Sequence, residues 1–201
     1  MRQSILTPLS RVQREIIVGS VLGDGCLEFN GCKGTRLQIK QCRKYKKYVF
    51  WLHYQLKSLC NGKPKQKKDT NQWYFSTRAL KELTYLHKLF YQSRRKVIPK
   101  NIIRLLKSPL TLAVWYMDDG SLDFRPKDHY AFTLNVNSFS LKEAKRLSTV
   151  IQNNFGVKTE VHNLLCRKKR YPRIYIGKDG RDKFLRLVKP WILSCFSHKL
   201  P

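Results

Sequence analysis

The sequence predicts an α+β fold built as two similar halves. Three observations carry that prediction. Apolar residues recur at helical spacing in some segments and at every second position in others. The order helix, strand pair, helix, strand pair, helix occurs twice along the chain. A helix that closes in Asp-Gly ends at Asp24 and another at Asp119, a period near 95 residues.

The first half opens with a capping-box pattern, Ser10 with Gln13 three residues on. It predicts a helix over about 10–22 carrying Val12, Ile16, Ile17, Gly19, Val21 and Leu22, closed by Gly23-Asp24-Gly25. In 35–41, Arg36, Gln38 and Lys40 alternate with Leu37 and Ile39, the period of a half-buried strand. Residues 26–29 are the expected partner strand, across a turn holding Asn30, Gly31 and Gly34. Residues 43–60 read as helix, with Val49, Leu52, Leu56 and Leu59 on one face. Residues 63–68 lead to a strand at 73–75, and a helix follows over about 77–91.

The second half repeats the order. Ser108 before Pro109 is an N-cap with proline at the first helical position. That helix carries Leu112, Ala113, Val114, Trp115, Tyr116 and Met117 and closes in Asp118-Asp119-Gly120. Residues 132–137 alternate as 36–41 do, and Ser140 starts a helix to about 154. Strands are expected at 157–162 and 173–176 around the basic run 167–170, then a turn at Asp179-Gly180. A last helix covers about 182–195, interrupted near Pro190. No Gly/Ser linker divides the chain. Two halves, 1–105 and 106–201, are therefore expected to share one interface.

Composition bounds the function. The chain has 201 residues, 42% of them hydrophobic and 12% aromatic, enough for a buried core and too apolar for a disordered tail. The longest apolar stretch, from Ile16 to Gly23, is broken by glycine and serine and excludes a membrane span. The first 14 residues are acid-free and bear arginine, as a transit peptide does, but a structured segment starts almost at once. They are taken as mature protein. Six cysteines include no C-x-x-C pair, so reduced thiols are expected, with a zinc site from Cys26, Cys32 and Cys42 as the minor alternative. A formal net charge of +28 asks for a polyanionic partner. Nucleic acid is the first choice; a ribosomal-type structural protein and a membrane-surface binder are the rivals.

On so basic a chain, the placing of the 13 acids is informative. Asp-Gly is a common turn dipeptide, and that is the bland account of either site alone. Asp24 and Asp119, however, stand at equivalent places. If their helices pack side by side, with Gly19 and Ser20 small enough for close approach, both carboxylates emerge at one end. Two carboxylates facing phosphates repel both each other and the DNA; a divalent cation resolves this, and hard oxygen ligands favour Mg²⁺. Such a metal can activate water and stabilise a leaving 3′ oxygen.

The stretches Ile17-Val-Gly-Ser-Val-Leu-Gly-Asp-Gly25 and Leu112-Ala-Val-Trp-Tyr-Met-Asp-Asp-Gly120 resemble the two signature motifs of LAGLIDADG homing endonucleases. The resemblance covers nearly the whole chain and extends to Lys-Val-Ile-Pro before the second motif and to the closing Lys-Leu-Pro. It is to the single-chain, two-motif branch, typically encoded in organellar group I introns. It implies two αββαββα halves with saddle-shaped antiparallel sheets on DNA. It implies metal binding by Asp24 and Asp119 with the backbone carbonyls of Gly23 and Asp118 nearby. It also implies a basic residue per half, Lys96 and Lys199, which follow their Asp by 72 and 80 residues. The first motif departs from the family pattern at Ser20 and Leu22. Asn137 stands where relatives often carry Gln, with Lys40 as its expected counterpart.

Strand alternation gives the expected DNA surface. Arg36, Gln38 and Lys40 share one face, and Thr133, Asn135 and Asn137 another; Lys65, Lys67, Gln72, Tyr74, Arg173 and Tyr175 extend it. Arg43, Lys44, Lys46, Lys47 and the 167–170 run are expected to hold phosphates. The function expected is a monomeric, Mg²⁺-dependent endonuclease, with Mn²⁺ as substitute, cutting both strands of a long double-stranded DNA target to short 3′ overhangs. The alternative is a maturase bound to group I intron RNA. An organelle, chloroplast or mitochondrion, is the expected compartment, with bacterial cytoplasm as the other host.

Overall fold

The computed structural model describes residues 9–125, 129–166 and 168–201. Residues 1–8, Arg167 of the basic run, and the Cys32 side chain invoked for zinc lie outside the described set. The chain begins α1 (Arg11–Leu22), β1 (Cys26–Phe29), β2 (Thr35–Cys42), α2 (Lys46–Leu56), β3 (Lys65–Lys67), β4 (Gln72–Ser76) and α3 (Lys81–Phe90). A small hairpin, β5 (Tyr91–Gln92) and β6 (Arg95–Lys96), and a single turn, α4 (Ile102–Leu105), lead on. Then come α5 (Pro109–Asp119), β7 (Gly120–Arg125), β8 (His129–Asn135), α6 (Leu141–Phe155), β9 (Glu160–Cys166), β10 (Lys169–Ile176) and α7 (Lys178–Val188). The two expected αββαββα runs are both present.

Local chemistry accounts for the helix ends. At α1 the Ser10 hydroxyl accepts from Gln13 N–H at 3.2 Å while the Gln13 side chain accepts from Ser10 N–H at 3.0 Å. Ser140 and Glu143 make the same reciprocal pair at α6. Ser108 caps α5, accepting from Leu110 N–H at 3.2 Å. Gly156 ends α6 at φ +60°, where a Cβ would be strained.

Each sheet has four antiparallel strands in the same order, β1-β2-β4-β3 and β7-β8-β10-β9. One face of each is apolar. Leu27, Leu37, Ile39 and Phe75 are buried beneath α2 and α3; Phe132, Leu134, Ile174 and Ile176 are buried beneath α6 and α7. The opposite faces carry the polar set.

The two sheets meet through α1 and α5. Every residue from Ile16 to Leu22 and from Leu110 to Met117 is buried. A Cβ on Gly19 would lie 2.6 Å from the Thr111 carbonyl oxygen and 2.8 Å from Val114 Cβ. One on Gly23 would lie 2.5 Å from Asp118 Cβ. Glycine at both positions lets the backbones approach. Gly19 and Val114 are equivalent positions, as are Gly23 and Asp118, so these contacts lie on the pseudo-dyad.

Several expectations need correction. Asp179-Gly180 is not a turn: it forms the first turn of α7, where Gly180 packs against the Lys158 carbonyl. The alternation at 132–137 does not continue as strand to Asn137; β8 stops at Asn135 and Asn137 lies exposed in a turn. The helix at 43–60 is regular only over α2, with single 3₁₀ turns before and after it. The expected break near Pro190 is a 3₁₀ turn at Lys189–Trp191, and Ser194–Lys199 is 3₁₀ as well. The strand β7, the β5–β6 hairpin and α4 carry no alternation or cap that announced them.

Candidate active site and nucleic-acid interface

α1 and α5 end side by side, and both Asp-Gly dipeptides sit at that end. Asp24 is exposed; Asp118 and Asp119 are half-buried. The Asp118 side chain, not only its backbone, belongs to the site. Its Oδ2 accepts from the Asp24 backbone N–H at 3.3 Å. Gln41, one residue before the end of β2, donates from Nε2 to Asp24 Oδ2 at 2.7 Å and to Asp118 Oδ1 at 3.3 Å.

Both lysines face these carboxylates. Lys96, on β6, donates to the carbonyls of Gly23 at 2.8 Å and Gly25 at 3.1 Å. Lys199 is buried and donates to the carbonyls of Met117 at 2.6 Å and Tyr116 at 3.3 Å. The Tyr116 hydroxyl returns a bond to the Lys199 carbonyl at 2.8 Å. The Gly23 carbonyl, expected beside a metal, thus accepts from Lys96.

Electrostatics at this end are strained. Burial, then the Asp24 charge, pushes the Asp119 carboxyl up to about 7, against the pull of Lys96 and Lys199. Burial, then Asp24 and Asp119, raises Asp118 well above the usual carboxylate range. Burial lowers both lysines, although the three aspartates oppose it.

The donor set suits a hard cation. It offers carboxylate and carbonyl oxygens, with no imidazole or thiolate among the described residues that form it. Among the described residues, no three His, Cys, Asp or Glu side chains gather closely enough to enclose a metal. Mg²⁺ typically takes one or two carboxylates and completes its shell with water and substrate phosphate, so this open arrangement fits. Cys26, Cys42, Cys60 and Cys195 are free thiols.

The polar sheet faces gather most of the expected DNA-facing residues. Lys40, Tyr74 and Lys65 stand in one row across β2, β4 and β3; Asn135, Arg173 and His162 stand in a row across β8, β10 and β9. Cys26 pairs with Gln38 and Ser121 with Thr133, so the counterpart of Lys40 is Asn135, not Asn137. Asn135 Nδ2 donates to the Asp119 carbonyl at 2.8 Å, which ties β8 to the site. The faces are not free of acid. Arg36 pairs with Glu28 across β1–β2 at 2.7 Å, and Lys67 with Asp69 at 3.2 Å. Tyr175 stacks on His162 with centroids 5.0 Å apart. Arg173 Nε is buried with no hydrogen-bond partner among the described residues. Gln72 and Lys67 pair at the far edge, and Lys46 lies 4.6 Å over the Trp73 ring.

Gln41, the Asp118 side chain and Glu143 are not among the residues that the sequence motifs mark. Gln41 shares the parity of buried Leu37 and Ile39, and a polar residue at that parity was the available signal. Glu143 completes a capping box and also accepts from Ile98 N–H at 2.9 Å, anchoring the chain just after Lys96.

Comparisons with known proteins agree with this architecture. The model for the LAGLIDADG DNA endonuclease family matches residues 14–184. The Cytochrome b mRNA maturase bI2 of Debaryomyces hansenii is 31% identical, over 96% of this chain and 75% of its own length. The DNA endonuclease I-ChuI of Chlamydomonas applanata is 26% identical, over 96% of this chain and 95% of its own. Among solved structures, the homing endonuclease I-WcaI bound to its DNA recognition sequence has the same fold. Its TM-score is 0.83 at 24% identity, over 97% of this chain and 88% of that one.

Proposed function

The chain belongs to the LAGLIDADG DNA endonuclease family, and from that premise we propose that it is a site-specific endonuclease that cuts both strands of a long DNA duplex. One observation carries the reading: Asp24 and Asp119 converge where α1 and α5 end together, on a chain of net charge +28. The reaction is phosphodiester hydrolysis. A water oxygen bonds to phosphorus, the P–O3′ bond breaks, and a 3′ hydroxyl and 5′ phosphate result.

Asp24 and Asp119 would hold the metal, Mg²⁺ with Mn²⁺ as substitute. When bound, that cation supplies Lewis-acid activation of water and charge stabilisation at the leaving oxygen. The chain's own groups do the rest. Gln41 fixes the Asp24 carboxylate. Lys96 and Lys199, lowered by burial, give up or relay a proton more readily than solvated lysines and place positive charge beside the phosphate. The sheet faces, with Gln38, Lys40, Lys65, Gln72, Tyr74, Thr133, Arg173 and Tyr175, lie along the grooves; Arg36 and Lys67 join them when their ion pairs with Glu28 and Asp69 open. Asn137 sits at the rim. The halves 1–105 and 106–201 each serve one side of an asymmetric site, so one monomer binds one duplex. The products carry short 3′ overhangs, and an organelle that hosts group I introns is the compartment.

A second reading is favoured by the relative named an mRNA maturase: binding of the host group I intron RNA, with or without cutting. One experiment separates the two. A randomised duplex library is bound in Ca²⁺ and shifted to Mg²⁺, and the bound and cleaved pools are sequenced. The nuclease reading expects cleavage at one long, partly asymmetric sequence. Binding without cleavage, or no enrichment, overturns it in favour of RNA.

A further inference from the structure

The two ends of the site differ in what holds each aspartate. Asp24 has two supports: its N–H donates to Asp118 Oδ2, and its carboxylate takes the Gln41 amide that also reaches Asp118 Oδ1. Neither support has a counterpart. The position equivalent to Asp118 is Gly23, and the position equivalent to Gln41 is Val136, which is buried and apolar. Asp119 is held instead through its carbonyl, by Asn135.

The Asp118 side chain also fills the space that a side chain at position 23 would need. A Cβ there would lie 2.6 Å from Asp118 Oδ2. Gly23 and Asp118 therefore interlock across the pseudo-dyad, and the lock works in one direction only.

We propose that the Asp118 side chain is a positioning residue that fixes Asp24 but not Asp119, so the two strands of a target are cut at unequal rates. The inference rests on the nuclease reading for its kinetic part alone. Asp118 acts through Asp24 and Gln41 and needs no contact with substrate.

The test uses the full chain with Asp118→Ala, Asp118→Asn and Gly23→Ala. In metal-free ¹⁵N-labelled protein, the Asp24 amide is followed by hydrogen exchange. Loss of its acceptor in Asp118→Ala should speed exchange about fivefold, the worth of one hydrogen bond. Gly23→Ala should act alike by displacing the Asp118 side chain, whereas Asp118→Asn keeps an acceptor and should remain near wild type. On the duplex selected above, with each strand end-labelled, single-turnover nicking is then measured. The ratio of the two strand rates should shift about tenfold in Asp118→Ala and Gly23→Ala, and less in Asp118→Asn.

An unchanged Asp24 amide overturns the proposal. So does equal slowing of both strands, or Asp118→Asn as impaired as Asp118→Ala, which would make Asp118 a direct ligand. If the wild type does not cut at all, the nuclease reading fails, and the amide measurement alone decides the positioning role.

Discussion

The two ends of the carboxylate site share a backbone and differ in side chains. At the first, an exposed Asp24 follows a glycine, leans on Gln41, and has Lys96 arriving on a two-residue strand from a hairpin. At the second, a half-buried Asp119 follows another aspartate and has Lys199 enclosed against the end of α5. Strand order and register repeat between the sheets; the groups that hold each aspartate do not. Architecture can therefore be duplicated while the chemistry at each end is tuned separately. The asymmetric target proposed for this chain would call for that independence.

The harshest way to break the comparison is to neutralise one end. Asp24→Asn and Asp119→Asn are each expected to lower double-strand cutting on the order of 10³-fold, while binding in Ca²⁺ persists. Full residual double-strand cutting would remove these residues from the mechanism. Next in size is salt. Between 50 and 200 mM, target affinity should fall about 10³-fold or more, because many phosphates are neutralised. A flat response in a filter-binding titration would discard the electrostatic account.

Smaller effects probe what joins the ends. Gly19→Leu forces a side chain into Thr111 and Val114 and should cost about 1–3 kcal/mol or more. For a chain of this length each kcal/mol lowers Tm by about 2–4 °C, read by calorimetry. Glu143→Gln tests the anchor beneath Lys96. Burial opposes ionisation of Glu143, but hydrogen bonds from Ser140 and Ile98 and the charge of Arg95 outweigh it and hold the carboxyl below its ordinary value of 4.5. A depressed carboxyl stabilises the fold above its unfolded value, and that stability is lost as pH falls below about 4.5. The variant should lose about 1.5–3 kcal/mol at neutral pH and show a shallower decline in acid. Identical acid profiles for variant and wild type would dismiss the anchor. The smallest effect distinguishes the sheets. Lys65→Ala should reduce the salt slope by about 0.9, whereas Tyr175→Ala on the other sheet should leave it unchanged.

The sequence carried the scaffold well where the signal was local. The capping boxes, the proline at the start of α5, and the alternation of Leu37 with Gln38 and Lys40 state their own geometry. So does the convergence of Asp24 and Asp119, because equal placement after equal helices leaves little choice. What stayed hidden depends on contacts between distant residues. Gln41 reaches Asp118 across 77 positions, and Glu143 reaches Ile98 across 45. No periodicity encodes such pairs. Asp179-Gly180 misled for a related reason: a favourable turn dipeptide was overridden by packing of Gly180 against the Lys158 backbone. Asn137 misled because alternation continued in the letters after the ladder itself had ended.

The contact of Gly19 with Val114 has a consequence for assembly. Two copies of α1, set face to face as α1 and α5 are, would leave one cavity opposite another at position 19. Two copies of α5 would drive Val114 into Val114, and Asp118 into Asp118. Only the mixed pair matches protrusion to recess, twice, at positions four residues apart. The interface therefore discriminates self from non-self: if the two parts were supplied as separate polypeptides, they should form the heterodimer and resist either homodimer. A gene carrying both parts in one reading frame delivers them at a fixed one-to-one ratio, which a partnership that cannot be replaced by self-pairing requires.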